Sequence, residues 1–408
     1  MTRRPDAPDL PIAPVPDVIG VVDVAVDPAG ARSVGGVALP LRALLALQQA
    51  GAAPLAFSGA AAARWAALAR ADDRVRSPVD AIVQAPPEPY AAVAGDVAID
   101  TRFARALLRA PGVVFVGREV VALHRAGPSE AGVLDDAGDG ALDLASEGLC
   151  LPVRDAAAAR AADDRLYASL RKPQDGFISR AINRSLSIRV TRVLAPMGLR
   201  PNQVSVGILV FGVAGAALAA QGTHATLALA GVCFNAQSIL DGCDGELARL
   251  TFRGSRAGEW IDTVGDDLTN YGFFAGAAWG LHRAGLGAPP LVFGAVGLAA
   301  GLVASLTEYR YLLRIGSGDL LRYPLGFGDD ASGDARADTG LRRLVGMARP
   351  LFKRDFFVFA TMLAALAGPS ATLVMLALFA GGAALTLAAV LRSEWARRGV
   401  APGQETRV

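Results

Sequence analysis

The sequence predicts a two-part fold, an N-terminal α/β layer domain followed by a six-helix polytopic membrane α-bundle. Three observations predict it. Apolar residues make up 52% of the 408 residues and the mean hydropathy is +0.37, beyond what an ordinary cytosolic enzyme carries. The apolar excess is concentrated after residue 200, in a series of hydrophobic segments. Before it, short β-rich runs alternate with Ala/Leu-rich helical runs, the pattern of a mostly parallel sheet covered by helices.

Residues 1–17, MTRRPDAPDLPIAPVPD, are Pro- and Asp-rich without an apolar core, so they read as a disordered tail and not as a signal peptide. In the α/β domain, 18–165, the expected strands are Ile19 to Val26, Leu55 to Ser58 and Val113 to Val116. The expected helices are Leu41 to Ala50, Ala60 to Ala71 and Thr101 to Ala110. Residues 166–200 form a basic juxtamembrane segment. There Ile178, Ile182, Leu186, Val190 and Leu194 recur every four residues, while Arg180, Asn183 and Arg184 lie elsewhere on the helical surface. A helix of this kind lies in the headgroup layer on the cytoplasmic side; the plainer reading is a surface helix of the soluble domain.

The membrane domain, 201–395, is expected to span at Val204 to Ala220, Leu227 to Leu250, Trp260 to Leu281, Leu291 to Leu313, Phe356 to Leu366 and Leu373 to Leu391. A span needs about 20 residues, so the fifth is short unless Leu351 to Phe357 contributes. Arginines cluster before the first span and after the second, fourth and sixth, as at Arg253, Arg256, Arg342, Arg343 and Arg397. The opposite connections hold one arginine, Arg283. By the positive-inside rule the chain is an integral protein of a bacterial or archaeal plasma membrane with both termini cytoplasmic, 396–408 being a cytoplasmic tail. The loop Ile315 to Pro350 is Gly/Asp/Arg-rich and reads as a connector near the cytoplasmic side.

Composition excludes other classes. A formal charge of +2, with basic residues scattered among loops, gives no nucleic-acid surface. Cys150, Cys233 and Cys243 lack a CxxC spacing, so neither a disulfide framework nor a thiolate metal site is indicated. His124, His224 and His282 are isolated.

The chemistry concentrates between Leu240 and Asp267. Asp241 and Asp244 are three apart and Asp262 and Asp266 four apart, so each pair lies within about 60° on one helical face. On antiparallel helices joined by a short basic loop, the four carboxylates converge at the membrane edge. Like charges in such a place need cations, and all-oxygen ligation points to hard ions, Mg2+ or Mn2+. Two ions would clamp a pyrophosphate and stabilise a leaving oxygen. Gly245, Ala248 and Gly258 clear the helix faces for a ligand, and Arg249 supplies a permanent charge suited to phosphate.

These residues reproduce DxxDGxxARx8GxxxDxxxD, and the chain thereby resembles the CDP-alcohol phosphotransferases. The resemblance implies a six-span homodimer with a cytoplasmic active site and two divalent metals, Mg2+ or Mn2+. It implies transfer of a substituted phosphate from a CDP-alcohol donor to a hydroxyl acceptor, a lipid or an inositol phosphate, with release of CMP. By position, Asp241, Asp244 and Asp262 would be metal ligands, and Asp266 a metal-proximal general base. Gly245, Ala248, Arg249 and Gly258 would form the CDP-binding surface. Asn202 is either a nucleotide contact or a helix cap. Arg354 and Asp355 shape the acceptor pocket or form an ion pair at a span end; the role of Asp267 is open. Two other classes fit intramembrane carboxylates, a cation transporter and a non-catalytic scaffold, but neither explains DGxxAR.

The segment RKPQDGFISRAINRSLSIRVTRVLAPMGLRPNQVS and the later KRDFFVF are similar to parts of di-myo-inositol phosphate phosphate synthases, whose bifunctional members place a cytidylyltransferase domain first. Val34 to Gly59 and the GDVAID from Gly95 resemble sugar-nucleotide nucleotidyltransferases. Where those enzymes need a Gly-rich phosphate loop, this chain has AVDPAGARSVGG, with Asp27 and Pro28 intruding. The expectation is a degenerate nucleotidyltransferase-like domain serving structure or regulation. Gly35, Gly36 and Asp96 are its functional residues if it is active, and turn residues if it is not.

Overall fold

A computed structural model describes residues 18–86, 89–109, 111–116, 119–125, 133–134, 141–144, 146–171, 176–324 and 354–398. The expected tails, 1–17 and 399–408, and most of the Ile315 to Pro350 loop lie outside the described residues. The chain forms two compact units. The first is built by the chain up to Leu170 with the short segments Ala195–Gly198 and Leu250–Arg253, the second by the remainder.

In the first unit the elements are β1 (Ile19–Asp23), the hairpin β2 (Ser33–Val34) and β3 (Val37–Ala38), α1 (Leu39–Ala50), β4 (Leu55–Ser58), α2 (Ala62–Arg70), β5 (Val79–Ala81), β6 (Tyr90–Ala94), β7 (Val97–Ile99), α3 (Thr101–Leu107), β8 (Gly112–Val116), β9 (Glu119–Arg125), β10 (Cys150–Pro152) and α4 (Ala156–Ala168). The main sheet runs β5-β4-β1-β6-β9-β8. Strands β5, β4, β1 and β6 are parallel, and β9 pairs antiparallel with both β6 and β8. The expected parallel sheet is therefore present, extended on one side by an antiparallel hairpin. Central β1, IGVVD, is a continuous apolar run because both faces are covered. On one face pack Leu44, Leu45 and Leu47 of α1, Trp65 of α2 and Phe103 of α3, all with at most 1% exposure. Helix α1 stops at Gly51, whose φ of 107° places the backbone in the left-handed cap conformation.

The second unit is helical. A π-turn at Ser179–Asn183 leads into α5 (Arg184–Leu194), followed by α6 (Pro201–Ala219), α7 (His224–Leu240), α8 (Gly242–Thr251), α9 (Arg256–Leu281), α10 (Pro289–Ile315), α11 (Arg354–Ala367) and α12 (Pro369–Arg398). Among the described residues, α6, α10 and α12 are long and apolar enough to cross a membrane. Helix α9 has the length, but Glu259, Asp262, Asp266 and Asp267 occupy its first half. The expected continuous segment Leu227 to Leu250 is divided at Asp241 into α7 and α8, where Asp241 and Gly242, both weak helix formers, adjoin. The expected short span at Phe356 to Leu366 lies in α11, a helix of 14 residues.

Glycine lets α9 approach α6. A Cβ at Gly276 would strike the Ala216 carbonyl and one at Gly280 the Ala219 carbonyl, so the two backbones touch along this seam. Beside it the rings of Phe234 and Phe273 stack at 4.5 Å and those of Phe274 and Phe379 at 4.1 Å. Helix α5 is oriented with its polar side inward. Asn183, Ser187 and Thr191 are buried, whereas Ile182 and Leu186 of the apolar stripe are exposed, Val190 and Leu194 are half-buried, and Ile178 just ahead of the helix is buried.

Candidate active site

The site is built where α8 and α9 follow one another. Ser255 caps α9, its hydroxyl accepting from Gly258 N at 3.0 Å, which fixes the start of the helix nearly two turns before Asp262. From there 100° per residue carries Asp262 and Asp266 along one face. Asp241 meets them from the α7–α8 junction. One carboxylate oxygen from each of Asp241, Asp262 and Asp266 lies within 4.8 Å of the other two. Asp262 is exposed, and Asp241 and Asp266 are half-buried, so the group opens to one side.

Arg354, at the first position of α11, supplies positive charge to this group. Its Nη2 donates to Asp266 Oδ1 at 2.6 Å, its Nη1 donates to Asp266 Oδ2, and the same Nη1 lies 3.4 Å from Asp241 Oδ2. The guanidinium fork matches the carboxylate plane, the geometry in which such pairs are strongest. The expected pairing of Arg354 with its neighbour Asp355 is not what forms. Asp355 instead accepts from Ser179 N at 2.7 Å and lies against Gly176, tying the start of α11 to the π-turn before α5.

Asp244 is not among the three carboxylates whose oxygens lie within 4.8 Å of one another. It is 7% exposed, with Ser205 Oγ donating to Oδ2 and Gly245 N donating to Oδ1 at 2.5 Å. The two glycines of the motif face polar side chains. A Cβ at Gly245 would come 3.4 Å from Arg249 Nη1, so the Arg249 guanidinium lies over that glycine. A Cβ at Gly258 would come 3.1 Å from Asn202 Oδ1. Asn202 is not the cap of α6: that position belongs to Arg200, whose N–H donates to Gln203 Oε1 at 2.9 Å. Ala248 is half-buried on the same helix as Gly245.

Two carboxylates beside the motif have structural partners that the sequence did not reveal. Glu246, fully buried, accepts from Arg184 Nη1 at 2.8 Å, Ser187 Oγ at 2.7 Å and Thr191 Oγ1 at 2.7 Å, clamping α5 to α8. The readable signal was the spacing Arg184, Ser187, Thr191, a polar stripe opposite the apolar one. Asp267 accepts from Tyr309 Oη at 2.6 Å and so joins α9 to α10. Each histidine has a backbone carbonyl partner: His124 Nδ1 pairs with Leu107 O, His224 Nε2 with Leu366 O and His282 Nδ1 with Gly287 O. In the first unit Gly35 (φ 58°) and Gly36 (φ 73°) are the two turn residues of the β2–β3 hairpin, where left-handed backbone is required. Asp96 lines a cavity of that unit.

Residues 199–319 match the CDP-alcohol phosphatidyltransferase family. The chain is 35% identical over 189 residues to the bifunctional IPC transferase and DIPP synthase of Thermococcus kodakarensis, a match covering 46% of this chain and 37% of that protein. Its counterpart in Archaeoglobus fulgidus is 32% identical over 149 residues, covering 36% and 28%. The chain thus spans about a third of the length of the curated relatives it matches. Among solved structures, the phosphatidylinositol phosphate synthase of Mycobacterium tuberculosis with CDP-DAG bound aligns with a TM-score of 0.40 at 21% identity, over 55% of this chain and 98% of that one. All eight positions of the aspartate motif fall within the residues, 199–319, that match the CDP-alcohol phosphatidyltransferase family.

Proposed function

We propose that the chain is a membrane enzyme that transfers a substituted phosphate from a CDP-alcohol to an acceptor hydroxyl and releases CMP, in phospholipid or inositol-phosphodiester biosynthesis. The observation that supports this most is the convergence of Asp241, Asp262 and Asp266 within 4.8 Å, inside the segment that matches the family. The donor set fits a hard divalent ion. Mg2+–oxygen bonds are about 2.1 Å, so oxygens up to about 4.2 Å apart can share one ion, and small side-chain rotations bring these carboxylates to that spacing.

In this reading Asp241, Asp244 and Asp262 hold two divalent ions, Mg2+ or Mn2+, with Asp266 beside them. Bound there, the ions neutralise the pyrophosphate and the charge that develops on departing CMP. Asp266 accepts the proton of the acceptor hydroxyl as its oxygen attacks the phosphorus next to CMP. Arg354 holds the Asp266 carboxylate in one orientation until the acceptor arrives. Gly245, Ala248, Gly258 and Asn202 leave the cytidine and diphosphate a close approach, and Arg249 meets a phosphate oxygen. The six-span count, the homodimer, the cytoplasmic placement of site and termini, and a nucleotidyltransferase-like ancestry of the first unit belong to the same proposal. They are supported by the loop arginines and by the resemblance of the sequence.

The test is CMP release by purified full-length protein, supplied with divalent metal and panels of CDP-alcohols and acceptors, with products identified by mass spectrometry. Release no greater than that of an Asp244→Ala variant would sink the proposal.

A further inference from the structure

The turn between α8 and α9, Leu250–Arg253, is part of the first unit, although the residues on either side of it in sequence carry the aspartate motif. Its backbone is held by arginines. Arg42 of α1, 1% exposed, donates from Nε to Val34 O at 2.9 Å and from Nη2 to Leu250 O at 2.6 Å. Arg74 Nη1 donates to Thr251 O at 3.1 Å, and Asp72 fixes Arg74 by accepting from its Nε at 2.7 Å and its Nη2 at 2.6 Å. Leu250 and Thr251 end α8, where carbonyls lack partners within the helix and the helix dipole is negative. The two guanidiniums meet both needs.

Phe252 plugs the same turn into apolar surroundings. Among the described residues it is the one non-glycine with positive φ, 58°, a backbone conformation that persists only where neighbouring contacts hold it. Its ring is 8% exposed and belongs to the hydrophobic cluster of Leu44, Trp65 and Phe103. The Arg42 guanidinium lies 5.2 Å from the ring centroid. Burial pushes that guanidinium down to about 10, so it stays charged at neutral pH, with the Asp163 carboxylate opposing the shift. A buried cation costs more than an apolar side chain of the same volume. What Arg42 gains in return is a bond across 208 residues of sequence, to the last turn of the helix that carries Asp244, Gly245, Ala248 and Arg249.

We infer that Arg42 is a positioning residue for the aspartate motif: with Phe252 it fixes the turn that sets Asp244 and Arg249 of α8 against Asp262 and Asp266 of α9. It acts through the Leu250 carbonyl, one residue beyond Arg249. The first unit thereby serves the transfer reaction without a ligand of its own. The turnover readout below rests on the reaction proposed above; the exchange readout does not.

The test compares full-length parent, Phe252→Gly, Arg42→Met and Arg42→Lys in detergent. Glycine suits the left-handed backbone and removes only the ring, so Phe252→Gly decides the matter even if Arg42→Met fails to fold. Hydrogen exchange at amides 245–249 is expected to rise about tenfold or more in Phe252→Gly and Arg42→Met, with α10 and α12 unchanged. In CMP release, the CDP-alcohol concentration for half-maximal rate is expected to rise about tenfold, because a loosened α8 misplaces Gly245 and Arg249. Loss of folded protein would lower the rate and leave that concentration where it was. Arg42→Lys, which keeps the charge and loses the fork, is expected to fall between parent and Arg42→Met in both readouts. Exchange at 245–249 in Phe252→Gly equal to that of the parent, or a lowered rate at an unchanged half-maximal concentration, would overturn the inference. A parent that releases no CMP would end the proposed reaction, and exchange alone would then decide the role of Arg42.

Discussion

Arg354 grips Asp266 through both Nη nitrogens, across 88 residues of sequence, and reaches Asp241 with one of them. The carboxylate assigned to accept the acceptor's proton is thus presented by a cation of the protein. In the proposed reading that cation and a divalent ion would share Asp241. Replacing Arg354 by Lys keeps the charge and loses the fork, and kcat is expected to fall about 10- to 100-fold, equivalent to about 1.4–2.7 kcal/mol. Arg354→Ala is expected to lower kcat further while tightening metal binding. Weaker binding of Mn2+ by that variant, read by electron paramagnetic resonance, would refute this competition for Asp241.

Metal dependence separates Asp262 from Asp267. EDTA should abolish CMP release, and Mg2+ or Mn2+ should restore it. Asp262→Asn is expected to raise the metal concentration for half-maximal rate by about tenfold or more, since it removes one of three converging oxygens. Asp267→Asn, whose partner is Tyr309, should leave the metal requirement where it was. A shared shift in both variants would show that the two carboxylates act together.

Glu246 is expected to matter for stability before it matters for turnover. Its removal leaves Arg184, only 13% exposed, without its buried counter-charge, a loss of about 3–5 kcal/mol by comparison with other broken buried pairs. Glu246→Ala should therefore melt well below the parent in detergent. Glu246→Gln, whose single amide oxygen still accepts from one of the two hydroxyls, should fall between them. Equal melting of all three would mean that the clamp contributes nothing.

Asp100 gives a pH signature in the first unit. It caps α3 by accepting from Phe103 N at 2.9 Å, and burial pushes its carboxyl above the ordinary value despite that bond. The folded state therefore holds the proton more tightly than the unfolded chain. This contribution is complete below the unfolded carboxylate range, about pH 4, and is lost as pH rises through the raised folded value. Asp100→Asn keeps an acceptor and lacks the titration, so its stability relative to the parent should improve as pH rises from about 3.5 to about 6. Asp100→Ala should lose about 1 kcal/mol of cap energy. Hydrogen exchange of the α3 amides reads both effects.

Much of this was legible in the chain. The runs at Leu55 to Ser58 and Val113 to Val116 form strands, and the apolar helices α1, α2 and α3 fall where their periodicity puts them, because those segments bury one face each. Strand β6 was not read: YAAVA is Ala-rich and follows a Pro-rich stretch, so its strand character comes from its place between β1 and β9. The motif located the convergence of Asp241, Asp262 and Asp266, since helical spacing determines which side chains share a face. It did not reveal that Asp244 turns to Ser205, or that Arg354 meets Asp266, because both pairings join separate helices far apart in sequence.

The inward polar side of α5 has a mechanical consequence. The helix turns Leu186 outward, as the π-turn before it does Ile182, while its buried Ser187 and Thr191 bond to Glu246. That residue sits on α8 between Asp244 and Arg249, less than one helical turn from either. Whatever displaces α5 therefore reaches Asp244 and Arg249, two positions of the aspartate motif, through Glu246 and within a single helical turn.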